Sequence, residues 1–310
     1  MSPRLDGTRV LLTGAGGQLG RYLTPALADA GATVIGAGSH ARPGADRIFD
    51  ITDEKSVRAA FDAESPAIVI HAAAFTDVDG AERDEAAAHA VNVVGSRHVA
   101  RAAAAAGAHL IGVGTDFIFA GDGGAPYDEM APALPLSVYG RTKLEGEQAI
   151  MSANPAFAVA RTAWLYGGSG KHFPRTVLCL LRDRGTIAVV DDECGSPTFA
   201  GDLAVALVQL AAQRAAGTYH LVNEGRASRF GLARAVAEAA AFRPEGVTPT
   251  TSEEFLAHYP LPARRPADST LVNRRAAALG VRLPPWRDAI ERYVPALAAE
   301  LNLAPANGEE

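Results

Sequence analysis

RVLLTGAGGQLG, residues 9–20, decides the fold of this chain. An apolar run of strand length, Arg9 to Thr13, passes directly into Gly14-x-x-Gly17-x-x-Gly20, where a helix is expected to begin. Glycines at such a junction permit a tight turn and let backbone N–H groups approach a pyrophosphate. The helix N-terminus behind them favours negative charge. Strand, glycine turn and helix in that order open a βαβ unit, so a dinucleotide is expected over Gly14, Gly17, Gln18, Leu19 and Gly20.

Outward from this turn, apolar runs of strand length alternate with Ala-rich stretches of helix length. Further strands are predicted at Ala32 to Ile35, Ala67 to His71, His109 to Gly114 and Ala156 to Arg161. Helices are predicted to begin near Gly17, Lys55, Asp84 and Val138, with Asp53 and Ser137 as N-caps of the second and fourth. This is an α/β pattern, a Rossmann-type doubly wound parallel sheet. After Arg161 the alternation fails and prolines become more frequent. Helices at Lys171 to Arg184, Gly201 to Gln213 and Arg229 to Ala240 are predicted there, with strands at Thr186 to Val190 and Gly217 to Val222. The expected division is an NAD(P)-binding domain over residues 1–161, a smaller α/β substrate domain mainly over 162–303, and a frayed tail over 304–310. Later segments have room to return to the first domain.

Composition narrows the class. At 310 residues and 48% hydrophobic content the chain can bury a large core, and a net charge of −6 leaves no basic face for nucleic acid. Two cysteines, Cys179 and Cys194, are too few for a disulfide framework and suit a reducing cytoplasm. No apolar run approaches the length of a membrane span, so no membrane partner is expected. No cluster of His, Asp and Glu has the spacing of metal ligands.

Cofactor choice is read about twenty residues beyond the turn, where an acid would bind the ribose of NAD. Here the chain carries Ser39, His40, Ala41 and Arg42 instead, donors and a cation suited to a 2′-phosphate. NADPH is therefore favoured, with NADH still admissible. Asp50 and Ile51 are placed beside the adenine. Ala72, Ala73 and Ala74, small enough to let the cofactor lie against the backbone, follow the third strand, with Thr76 just beyond.

Catalysis is read at Tyr139 and Lys143, four residues apart and so on one helix face. A nearby ammonium favours the phenolate, and the phenol can protonate a carbonyl oxygen. Only three lysines stand among the 29 basic residues, and one of them is here, where a compact ammonium suits better than a guanidinium fork. Thr115 emerges at the carboxyl end of the fourth predicted strand, the side of a parallel sheet where ligands bind, and its hydroxyl can donate to the same oxygen.

With these groups assembled, the chain resembles the extended short-chain dehydrogenase/reductases and, within them, the dTDP-4-dehydrorhamnose reductase family. The segments that carry the resemblance are GAGGQLG, HAAAFTDVDGAE, AVNVVGSRHVA, GTDFIFAGDGG, YGRTKLEGE, RTAWLYGG and DDECGSPT, with YHLVNEG and RRPADSTL beyond them. It implies reduction of a 4-keto nucleotide sugar by hydride from NAD(P)H, with Thr115, Tyr139 and Lys143 as the catalytic residues. It also implies substrate contacts from Val78, Asp116, Phe117 and Trp164, and a homodimer is allowed for. The family's usual Ser-Thr-Asp-Tyr is here Gly114-Thr115-Asp116-Phe117, one hydroxyl fewer on each side of the threonine. Two other functions are compatible with these motifs: a ketoreductase for another dTDP-deoxysugar, and a non-catalytic NADP-binding subunit like that of methionine adenosyltransferase. An epimerase, which keeps NAD⁺ through its cycle, is disfavoured by the missing ribose-binding acid.

Overall fold

The computed structural model describes residues 4–303, and the tail expected over 304–310 lies outside them. The chain runs β1 (Arg9–Thr13), α1 (Gly20–Asp29), β2 (Thr33–Gly38), β3 (Arg47–Ile48), α2 (Glu54–Glu64), β4 (Ile68–His71), α3 (Val78–Arg83), α4 (Glu85–His89), α5 (Ser96–Ala105), β5 (His109–Thr115), α6 (Val138–Ala153) and β6 (Ala158–Thr162). It continues through β7 (Leu165–Tyr166), α7 (Phe173–Arg184), β8 (Ile187–Val190), β9 (Cys194–Gly195), β10 (Thr198–Phe199), α8 (Ala200–Ala212), β11 (Gly217–His220), β12 (Ala227–Ser228) and α9 (Arg229–Ala239). Last come β13 (Val247–Thr250), α10 (Ser252–His258), α11 (Arg274–Ala278) and α12 (Trp286–Glu300).

Seven parallel strands form the central sheet in the order β3-β2-β1-β4-β5-β6-β11. Alternate residues serve its two faces. Val10, Leu12, Ile68 and Ile70 pack with Leu23 and Leu27 of α1 and Leu203 and Leu207 of α8. Leu11 and Val69 face the other way, toward Val57 and Phe61 of α2 and Val99 and Ala103 of α5. With both faces covered, the strands read as nearly continuous apolar runs, which is why they were legible.

Three departures from expectation shape the site. The first helix begins at Gly20 rather than Gly17: Gly14 has φ +75°, the Gly17 N–H bonds the Gly14 carbonyl at 2.9 Å, and residues 14–19 are spent on the turn. The helix expected from Asp84 begins earlier and is broken. Asp77 and Asp84 each cap a short helix, and a π-helical turn, Ala90–Gly95, precedes α5. As allowed for, α8 packs on α1 and β11 pairs with β6, so segments beyond residue 161 return to the sheet; the third departure is the end of that strand. β11 ends at His220 rather than Val222, because the Asn273 side chain takes both the N–H and the carbonyl of Val222, at 3.0 and 2.7 Å.

The rest of the second half forms three two-stranded sheets, β10/β7, β12/β9 and β13/β8. Its core gathers Val177 and Leu181 of α7, Leu232 and Val236 of α9, and Ile290 and Val294 of α12. Among the described residues no helix is long and apolar enough to cross a membrane.

Candidate active site

Strand order reverses between β1 and β4, and a cleft of ≈ 870 Å³ opens beyond the carboxyl ends of the sheet strands there. Gly14 ends β1 against the backbone that follows β4: a Cβ on Gly14 would stand 2.8 Å from the Ala72 carbonyl carbon. This close approach leaves no room for a side chain at the turn. Beneath it, His71 is buried and pairs through its ring nitrogens with the hydroxyls of Thr13 (2.7 Å) and Ser96 (3.1 Å). Burial pulls its imidazole down to about 3, so it is neutral. The π-helical turn places Asn92 so that its side chain holds the Phe75 N–H (2.9 Å) and carbonyl (3.2 Å), fixing the loop after Ala72, Ala73 and Ala74.

Every predicted site residue except Gly20 lines this cleft. Gly20 is a packing position, since a Cβ there would stand 2.3 Å from the Ala15 carbonyl oxygen. Gly14, Gly17, Gln18 and Leu19 line it after β1, while Ser39, Arg42, Asp50 and Ile51, after β2 and β3, lie at one end and Thr76 and Val78 follow β4. The Gln18 amide donates to the Gly167 carbonyl at 3.1 Å, so its side chain ties the turn to the second layer. Arg42 packs over the glycine turn; a Cβ on Gly16 would meet its own Cβ at 2.8 Å.

At the other end stand Thr115, Asp116, Phe117, Tyr139, Lys143 and Trp164. Ser137 caps α6 by accepting from the Gly140 N–H at 3.1 Å, which sets the first turn carrying Tyr139. Phe117 meets the Tyr139 ring edge-on, 5.5 Å between centroids. Burial pushes the Tyr139 phenol up to about 12, with the Thr115 hydroxyl bonding in the opposite sense. The expectation that Lys143 lowers this phenol does not hold for the free site. The ammonium is turned onto the Val113 carbonyl at 2.7 Å and is itself brought down to about 8 by burial. Thr115 donates to one carboxylate oxygen of Asp116 (3.2 Å) and Ser269 to the other (2.5 Å). Burial pushes Asp116 up to about 6 against these bonds and the charge of Arg229.

Trp164 occupies the left-handed region at φ +44°, a conformation that costs of order 1–3 kcal/mol and persists only when its surroundings enforce it. Those surroundings are specific. Gly195 backs the indole so closely that a Cβ would meet it at 2.5 Å, and the Arg229 guanidinium lies 3.5 Å from a ring centroid on Trp164. Arg229, Arg265 and Lys171 also line the cleft and were missed as site residues. Arg265 stood in a recognised segment, RRPADSTL, whereas nothing linear signals that Arg229, at the start of α9, reaches Trp164.

The family model described as the RmlD substrate binding domain matches residues 8–299. The chain is 44% identical over 301 residues to a dTDP-4-dehydrorhamnose reductase of Mycobacterium tuberculosis, covering 95% of this chain and 94% of that one. It is 40% identical over 296 residues to a protein of Streptomyces antibioticus named as a probable dTDP-4,6-dihydroxy-2-methyloxan-3-one 4-ketoreductase, covering 94% and 97%. A crystal structure of dTDP-4-dehydrorhamnose reductase from Bacillus anthracis in complex with NADP matches with a TM-score of 0.86 and 34% identity, over 93% of this chain and 98% of that one. A match that runs through both the sheet and the layer of small sheets, with relatives this similar along nearly their whole length, makes this chain a member of the dTDP-4-dehydrorhamnose reductase family.

Proposed function

We propose that this protein reduces the 4-keto group of dTDP-4-dehydrorhamnose to give dTDP-rhamnose, with NADPH as the reductant. The observation that carries the proposal is the meeting of Thr115, Tyr139 and Lys143 with a glycine turn in one cleft. The cofactor's fit is supported by the cleft itself, which is lined by the glycine turn, by Ser39 and Arg42, and by the small residues Ala72, Ala73 and Ala74. Gly14, Gly17 and the start of α1 would take the pyrophosphate, Ser39 and Arg42 the 2′-phosphate, and Asp50 and Ile51 the adenosine. When bound, the nicotinamide supplies the hydride to the carbonyl carbon.

The chain's own residues supply the rest. Tyr139, held as a phenol at neutral pH, gives its proton to the carbonyl oxygen as the oxygen gains charge, and Thr115 donates a hydrogen bond to the same atom. The phenolate left behind is stabilised by the Lys143 ammonium. Val78, Asp116, Phe117 and Trp164 would border the sugar. Arg265 is bound to Asp79 at 2.7 Å, whereas Arg229 reaches its nearest carboxylate partner, Glu193, only at 3.8 Å. Arg229 and Lys171 are thus the cations best placed for the diphosphate. We assign the sugar nucleotide to the layer of small sheets within 162–303, and the protein to the cytoplasm, where Cys179 and Cys194 stay reduced.

A second reading, the same chemistry on another dTDP-deoxysugar, is favoured by the Streptomyces antibioticus relative at 40% identity. Following NADPH absorbance with dTDP-4-dehydrorhamnose and a panel of other 4-keto dTDP sugars separates the two. Turnover on dTDP-4-dehydrorhamnose should exceed the others, and Tyr139→Phe should lower it by roughly 10²–10⁴-fold. Preference for a different sugar favours the second reading. Silence on all of them would favour a binding subunit.

A further inference from the structure

Tyr139, Lys143 and Glu147 follow one another at four-residue intervals and share one face of α6. The first two line the cleft, while Glu147 lies beneath them at 6% exposure. Its Oε2 accepts from Arg161 Nε of β6 at 3.0 Å. Its Oε1 is buried and in no hydrogen bond of ordinary geometry, with the Thr115 N–H as the donor beside it. Oε1 stands over Gly114, where a Cβ would come within 2.3 Å of it. The space left by the missing side chain at Gly114 is therefore the space the carboxylate oxygen uses.

A buried carboxylate with an unspent oxygen is costly unless cations compensate it. Arg161 is one such cation, and Lys143, one helical turn away, is the other. The remaining groups around Lys143 do not rival them. β4 contributes His71, which is neutral, β5 the Val113 carbonyl, and the segment after β5 Asp116, which is itself bound by Thr115 and Ser269. The π-helical turn and α5 contribute Asn92 and Ser96, which carry no charge.

We propose that Glu147 is a positioning residue for protons: its carboxylate, anchored by Arg161, holds Lys143 as the ammonium that stabilises the phenolate left on Tyr139 by the reduction. The proposal rests on Tyr139 and Lys143 being the catalytic pair. Burial is the larger influence on Lys143 and lowers it, while Glu147 opposes the fall; on Tyr139, burial raises the phenol, the Thr115 hydroxyl opposes the rise, and Asp116 adds to it ahead of Glu147. A merely structural carboxylate would pin α6 to β6 and leave these protons where they are.

With only Lys55, Lys143 and Lys171 in the chain, lysine labelled at Cε gives three resonances to titrate by NMR in the apoprotein. Glu147→Gln keeps the shape and removes the charge. The Lys143 midpoint, expected near 8 in the parent, should fall by about one unit or more while Lys55 and Lys171 stay unmoved. The alkaline limb of the kcat/KM profile should move with it. If the glutamine variant fails to fold because Arg161 is left buried and unpaired, the double variant Glu147→Met with Arg161→Met replaces the pair by apolar groups and should show a smaller fall in the same direction, because the repulsion between Arg161 and Lys143 is removed with it. A Lys143 midpoint within about a third of a unit of the parent in whichever variant folds reduces Glu147 to an anchor and overturns the proposal. Because the titration needs no substrate, its result stands apart from the sugar assignment.

Discussion

Arg42 lies across Gly16 in the cleft, so it can serve a ligand phosphate, the shape of the glycine turn, or both. Its sequence position predicts the first. A charge-assisted hydrogen bond contributes roughly 1.5–3 kcal/mol, so Arg42→Ala should weaken NADPH by about 10- to 100-fold and leave NADH nearly unchanged. Dissociation constants from fluorescence titration test this; equal losses for the two cofactors would show that Arg42 holds the turn instead. Tyr139 and Lys143 were legible from spacing alone, because four residues on a helix bring two side chains to one face. The direction in which the phenol is displaced was not. Burial, supplied by distant segments, raises the phenol, and the Lys143 ammonium is turned onto the Val113 carbonyl. Trp164 shows the same limit, since its strained backbone depends on Gly195 and Arg229.

α6 is the element on which the proposed chemistry depends, and its start is set locally. Ser137 accepts from the Gly140 N–H, and Tyr139 is the second residue of the helix. Ser137→Ala should cost about 1 kcal/mol in urea unfolding and lower kcat more than it raises KM, as the first turn frays around the phenol. Ser137→Thr should restore both, whereas an alanine variant with parental stability and kcat would remove the cap from the account. Asp53 and Ser137 could be predicted as caps because capping is a contact between near neighbours. The interruption between α4 and α5 could not. A π-helical turn is favoured here by what Asn92 reaches, the Phe75 backbone and the Thr142 hydroxyl, and both partners lie far along the chain.

For the molecule as a whole, acid stability offers a test of how the sheet is closed at β11. His220 is fully buried, packs edge-on against Phe119 at 5.8 Å, and has neither ring nitrogen in an ordinary hydrogen bond. Burial pulls its imidazole from 6.5 down to about 3. Between those values the unfolded chain binds the proton and the folded chain does not, so stability is lost as pH falls, by about 1.4 kcal/mol per unit. His71 acts in the same sense, and Asp116, raised to about 6, in the opposite one. His220→Phe removes a single share: the stability lost between pH 6.5 and 5 should be smaller than in the parent by about 2 kcal/mol, measured by urea unfolding at both values. A variant with the parent's pH dependence would mean that His220 is solvated or already protonated in the fold. Most of the sheet and the cofactor end were readable from the chain because each rests on local pattern: strands buried on both faces are continuously apolar, and a glycine turn declares itself within seven residues. By itself the sequence determined the parallel α/β architecture and the glycine turn, and it singled out Thr115, Tyr139 and Lys143, which line one cleft. Only the tertiary structure decided that α8 and β11 return to the sheet, that Arg229 meets Trp164, and that Glu147 lies beneath Lys143. These depend on contacts and burial between segments far apart in the chain, which local periodicity does not encode.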